Sequence, residues 1–268
     1  MIRHPVVAGQ FYPADPRELR ETVRRYLESS AASRPPGGAV QGLVVPHAGY
    51  PYSGPVAGAG YAWLAASDFA ENPTVVILAP SHHVWFRGAT LPEADTFRTP
   101  LGDVRISPAA STLAASPAVF VSSQAHALEH AVEVQLPFLQ VCFPSFTILP
   151  LVLGDVDTDE LAEAILGLGL QNLLVVASSD LSHYEPYDEA VAHDRMTIQH
   201  ILDGHGDLLE GDDACGFLPI RTLLAVARRS GWKPELVDYR NSGDTAGDKS
   251  AVVGYTSIAF RGGHHGDE

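Results

Sequence analysis

Three apolar runs, each ended by a polar loop that contains histidine, constrain this chain more than any other feature. Leu43-Val44-Val45 leads into Pro46-His47-Ala48-Gly49, and Val75-Val76-Ile77-Leu78-Ala79 into Pro80-Ser81-His82-His83. Leu173-Leu174-Val175-Val176-Ala177 leads into Ser178-Ser179-Asp180-Leu181-Ser182-His183. Short branched-aliphatic runs without polar alternation suit strands covered on both faces, the inner strands of a largely parallel sheet. The prolines and small polar residues end each strand, so each histidine emerges at a C-terminal strand edge. In open α/β sheets that edge is where ligands bind. Three such loops predict one shared polar site.

The rest of the chain alternates in the same way. Asp15-Pro16 supplies an N-cap and a first-turn proline for a helix to about residue 28, with Leu19, Val23, Tyr26 and Leu27 as its apolar stripe. A small-residue helix over about 55–66 follows the His47 loop. Strands are expected at 43–45, 74–79, 118–121, 146–153, 173–177 and 251–259, and helices at 158–168, 187–202 and 216–229. This order predicts a single three-layer α/β/α domain with a central mixed, largely parallel sheet. Residues 1–13 read as an extended arm, 29–38 as a surface loop, and 261–268 as a disordered tail. Residues 84–106 read as short hairpins placed to cover the site. Residues 125–136 read as one helix on which His126, His130 and Glu133 share a face by i+4 and i+3 spacing.

Composition narrows the partners. The 268 residues carry a net charge of −15 with no basic stripe, which excludes nucleic acid and anionic membrane surfaces as natural partners. The N-terminus turns polar too early for a signal peptide, and no segment offers the roughly 18 unbroken apolar residues of a membrane span. The two cysteines, Cys142 and Cys215, form neither a disulfide framework nor a CxxC pair. A soluble cytoplasmic protein with a small-molecule ligand is expected.

Histidines at strand ends suit a metal. Imidazole accepts iron, zinc and copper, and two histidines with one carboxylate on one side of an iron leave positions open for substrate and oxygen. His47 and His82 are the best pair, with Asp244 in the glycine-containing loop before the last strand as the carboxylate. His183 is then the acid or base, because an unperturbed histidine titrates near ~6.5. Asp180 orients it, caps a helix, or stands next in line as ligand. Tyr50, His83, His130 and Glu133 complete the expected pocket wall. Cys215 reads as a small buried residue at a helix start, a location that lowers a thiol pKa. Ser178, Ser179, Asp180 and His183 also contain the residue types of a serine hydrolase, but no G-x-S-x-G elbow exists.

Several blocks resemble the Memo-like proteins: Pro46-His47-Ala48-Gly49-Tyr50, Pro80-Ser81-His82-His83, Glu129 through Leu139, Ser178 through Tyr184, Ala8 through Pro13, and Asn241-Ser242-Gly243-Asp244. The resemblance runs from about residue 3 to 260 in one block order. It implies the fold of class III extradiol dioxygenases, with His47 and His82 as metal ligands and His183 as the acid/base histidine. Animal members place a cysteine where the dioxygenases have a carboxylate; residues 239–250 here hold no cysteine and offer Asp244. The implied cofactor is a divalent metal, Fe(II) first, with Zn or Cu as alternatives. The implied partners are an AMMECR1-like protein and a radical SAM protein. Three readings follow: an iron-dependent dioxygenase-like oxidoreductase, a metal-holding or redox-regulating binding protein, and a hydrolase.

Overall fold

The inner strands form where the apolar runs place them: Val40–Val45, Thr74–Pro80, Thr147–Leu153 and Leu173–Ser178. The structure is a computed structural model that describes residues 1–30, 38–69, 71–245 and 247–262. The four strands are parallel, with Leu173–Ser178 between Val40–Val45 and Thr74–Pro80, and Thr147–Leu153 beyond the latter. The pleat sends successive side chains to opposite faces. Val44, Val76, Leu78 and Val175 enter one core; Leu43, Val45, Val75, Ile77 and Val176 enter the other.

Helices fill both cores. Helices Thr158–Leu166, Tyr187–Leu202 and Phe217–Ser230 contribute Leu161, Ile165, Ile198, Ile201, Leu223 and Val226 to the first. Pro16–Ser30, Tyr50–Ala66 and Leu136–Cys142 contribute Leu19, Val23, Tyr61, Leu64, Phe138 and Leu139 to the second. Each fully buried aliphatic or aromatic side chain contributes about 1.5–3 kcal/mol, and the parallel strands have no solvent face to lose. The expected three-layer α/β/α architecture is thereby realised. The small residues of Tyr50–Ala66 serve close packing: a Cβ on Gly54 would lie 2.5 Å from the Tyr26 ring, and one on Gly58 2.6 Å from the Tyr26 Cβ.

The sheet becomes mixed at its edges. Val252–Arg261 runs antiparallel to Val40–Val45 and carries Lys233–Asn241 antiparallel on its other side. That outer strand is absent from the sequence reading, because its charged, half-exposed residues and its Pro234 give no clear period-two signal. At the opposite edge, Thr96–Thr99 and Gly102–Ile106 form the expected hairpin, and Ile2–Arg3 of the arm pairs with it. Most of the stretch 89–106 therefore extends the sheet. The expected loop at 29–38 and tail at 261–268 fall mostly on residues 31–37 and 263–268, outside the described residues. No helix among the described residues is long and apolar enough to cross a membrane.

The largest departure lies at 125–136, which is not one helix. Helix Ser123–Ala127 stops, residues 128–132 are irregular, a 3-10 turn spans Glu133–Gln135, and a helix restarts at Leu136–Cys142. The Glu129 carboxylate takes the Ala131 amide, 2.9 Å away, and so competes with a helical acceptor. Pro137, which lacks an N–H, fits only the first turn of the restarted helix. His126, His130 and Glu133 consequently share no face.

Candidate metal centre

Strands Val40–Val45 and Thr74–Pro80 are separated by one strand, so the loops that follow them begin about 10 Å apart, two strand spacings. Imidazoles pointing toward each other close that gap: the His47 and His82 ring centroids lie 5.1 Å apart. The irregular stretch 128–132 lays His130 over both, 5.5 Å from His47 and 4.9 Å from His82. One nitrogen from each of the three lies within 4.8 Å of the others, an arrangement that could hold a metal ion.

The hydrogen bonds decide which nitrogen of His47 faces inward. The Gln135 amide nitrogen donates to the Pro46 carbonyl, 3.0 Å, and to Ser178 Oγ, 2.8 Å, while its oxygen accepts from Tyr61. Because a carbonyl only accepts, the orientation of this amide is fixed. Ser178 Oγ gives its single proton to the Ala131 carbonyl at 2.8 Å, so toward His47 Nδ1, at 3.0 Å, it can only accept. His47 therefore carries its proton on Nδ1 and keeps a lone pair on Nε2. The same bonds commit the Ser178 hydroxyl. Ser179 Oγ donates to the Asp180 carbonyl and accepts from the Gly216 amide, and both serines are fully buried. Neither is a free nucleophile, and the hydrolase reading loses its attacking group.

Glu129 does for His82 what Ser178 does for His47. It is buried and accepts from His82 Nδ1, the His82 amide and the Ala131 amide, each at 2.9 Å. Burial works against a charged Glu129, but the hydrogen bond and charge of His82 outweigh it and hold the carboxyl at about 2. His82 is likewise raised above its ordinary value: burial opposes the charge, and Glu129 overcomes it. Burial, followed by the neighbouring imidazoles, pulls His47 down to about 3 and His130 to about 4. Two of the three rings are thus neutral at pH 7, as ligands must be.

A thiol stands beside His47, outside the three converging nitrogens. Cys215 precedes helix Phe217–Ser230, and its Sγ lies 3.3 Å from His47 Nε2. A close approach at the next residue puts it there: a Cβ on Gly216 would stand 2.5 Å from the Ser179 Cβ and 2.6 Å from the Ser178 carbonyl. The helix-start position does not lower the thiol pKa as expected, because burial dominates and pushes it up to about 12. The sequence reading sought a cysteine near residue 244 and treated Cys215 as packing. It also passed over Glu129, whose only sequence signal is its place beside His130.

The other expected site residues do not join the three converging nitrogens. Asp244 is exposed; its Oδ1 accepts from Tyr187, 2.8 Å, and its Oδ2 from the Asn241 amide, 3.0 Å. It closes its own turn and is not among the converging donors, where His130 stands instead. Asp180 is buried beneath the His47 loop and accepts from the His47 amide at 2.8 Å, with its carboxyl raised by burial. Glu133 faces away from the cluster: it accepts from Arg3, the Val6 and Val7 amides and Tyr12, and so fastens the N-terminal arm. Tyr50 lies in the core with its hydroxyl on the Val134 carbonyl, 2.7 Å. His126 bonds the Thr90 carbonyl. His83 lines a cavity beside His82. His183 is exposed on edge strand His183–Glu185, near enough that a charge on it would disfavour charge on His47.

Comparison with known proteins identifies the family. The family model for Memo-like protein matches residues 3–259. A MEMO1 family protein of Methanopyrus kandleri is 40% identical over 285 aligned residues, covering 98% of this chain and all of that one. Others from Sulfolobus acidocaldarius and Methanococcoides burtonii are each 39% identical, covering 97% of this chain and 99% and 100% of theirs. With the model and full-length relatives in accord, the chain belongs to the Memo-like family.

Proposed function

We propose that His47, His82 and His130 hold one divalent metal ion through Nε2, with Cys215 as an adjacent thiol donor, and that the site is a non-haem iron centre of dioxygenase-like oxidoreductase type. The observation that carries the reading is the locked Nδ1 hydrogen bonding: Ser178 and Glu129 occupy the outer nitrogens of His47 and His82. Such outer partners fix tautomer and ring direction in metal sites. The donor chemistry fits a borderline ion: imidazole suits iron, zinc and copper, while a thiolate adds preference for zinc or copper. A bound ion supplies Lewis-acid chemistry and, as iron or copper, electron transfer. His183, on the exposed edge strand near His47, serves as proton carrier, and His82 and Cys215 line a cavity of about 640 Å³ that receives a small substrate. Asp180 holds the His47 backbone rather than moving protons itself.

The thiol beside His47 favours a second reading, a metal-holding or redox-regulating protein that acts with the AMMECR1-like and radical SAM partners implied by the resemblance. The experiment is anaerobic purification with elemental analysis, then titration with Fe(II), Zn(II) and Cu(I) on the parent and on His47→Ala, His82→Ala and His130→Ala. One equivalent of iron in the parent and loss in all three variants is expected. Full iron retention in His130→Ala refutes the three-histidine site. Binding without oxygen uptake on any catechol or aminophenol supports the second reading.

A further inference from the structure

The cavity beside the cluster has a charged end. It lies between the loop after strand Thr74–Pro80, the loop after strand Thr147–Leu153 and the start of helix Phe217–Ser230, with His82 and Cys215 among its lining residues. Its volume is within the range of about 300–1,000 Å³ typical of small-molecule sites. Val84, Trp85, Val156 and Phe217 make apolar wall, and Trp85 is 78% exposed, an unusual state for so large an apolar side chain.

Arg221 also lines this cavity, one turn along the helix from Phe217, with its guanidinium 5.4 Å from the Phe217 ring centroid. Its Nη2 donates to the Asp207 and Leu209 carbonyls, 3.0 and 2.7 Å. Its Nε is buried out of reach of the cavity and its Nη2 is committed to those carbonyls, while among the described residues no hydrogen bond engages Nη1 and no carboxylate pairs with the guanidinium. A half-buried cation with a spare donor and no counter-charge is expensive in a protein of net charge −15. Such a group is explained by a ligand that supplies what the protein withholds. The one acidic side chain on the cavity wall, Asp155, is 70% exposed and faces Arg87 at 4.0 Å.

We propose that the substrate of this site is a small aromatic carboxylic acid, whose carboxylate pairs with Arg221 while its ring lies against Trp85 and Phe217 and its far end reaches His82 and Cys215. This rests on the metal reading only for the last clause. With Nη2 committed to the two carbonyls, Nη1 is the group left for a carboxylate, and the opposite charges make that hydrogen bond roughly twice as strong as one to a neutral amide.

The test compares 3-phenylpropanoate with 3-phenylpropanamide by calorimetry, on metal-free and Zn(II)-loaded protein, for the parent, Arg221→Gln and Arg221→Lys. The metal-free parent should bind the acid at least ~10-fold tighter than the amide, as expected for one charge-assisted pair. Arg221→Gln should erase the difference and Arg221→Lys retain part of it, both with parental zinc content. Equal binding of acid and amide by the parent overturns the proposal and leaves Arg221 as a brace for residues 207–209. An acid preference that survives in Arg221→Gln also overturns it. A parent that binds no metal but discriminates acid from amide defeats the metal reading alone.

Discussion

Glu129→Gln isolates the carboxylate that holds His82. Three N–H groups converge on Glu129 at 2.9 Å, two on Oε1 and one on Oε2. A glutamine offers one oxygen, so its NH₂ must face at least one of those donors. The better orientation keeps His82 Nδ1 and Ala131 and orphans the His82 amide; one unsatisfied buried donor costs about 1–3 kcal/mol. Metal affinity should fall ~10–100-fold, the usual effect of removing an outer partner. The assay is chelator competition for affinity and urea unfolding of metal-free protein for stability. Glu129 lies below its unfolded value, so its contribution is present above pH ~4.5 and is lost as pH falls through about 2. The His82 half has the opposite sign: it is present below pH ~6.5 and is lost as pH rises through its elevated folded value. The stability lost in Glu129→Gln should therefore be largest between about pH 4.5 and 6.5. An affinity within twofold of the parent refutes the orienting role, and complete loss equal to His82→Ala would make Glu129 a ligand instead.

Asp244→Ala should keep parental metal content, because both its oxygens serve the turn and Tyr187; loss of metal in elemental analysis refutes the His130 assignment. Glu133→Ala removes one side of a buried ion pair and should cost about 3–5 kcal/mol in urea unfolding. The folded fraction should still bind metal within a few-fold of the parent. Gly216→Ala forces its new methyl off Ser179 and should destabilise by about 1–3 kcal/mol. It should also weaken the sulfur-to-metal absorption band of the Cu(II) form, since Cys215 must withdraw from His47; an unchanged band refutes the close-approach argument. Leu223→Ala, at a fully buried position against the sheet, should cost about 2–5 kcal/mol without changing metal content.

What could be read from the chain followed physical rank. Strands buried on both faces announce themselves by composition, so the parallel core and the strand-end positions of His47 and His82 were legible. The place of His130 in the cluster was not, because a side-chain bond from Glu129 to Ala131 breaks the helix that spacing suggested, and a broken helix carries no face. Asp244 misled for a related reason: a short acid in an Asn-Ser-Gly-Asp turn satisfies its own backbone, which looks in sequence like a loop aimed elsewhere. Cys215 is a contact of two segments 168 residues apart, and nothing local marks it.

The fastening of the N-terminal arm has a consequence for the order of assembly. Arg3, Val6, Val7 and Tyr12 find their acceptor in Glu133, and Arg3 also reaches the carbonyl of Glu129. During synthesis residues 3–12 leave the ribosome some 120 residues before that acceptor exists, with a buried-type arginine waiting unpaired. Contacts of such long sequence separation form late. The segment that presents Glu129 and His130 is therefore set in place only when residues 3–12 dock, so that the three imidazoles converge late in folding.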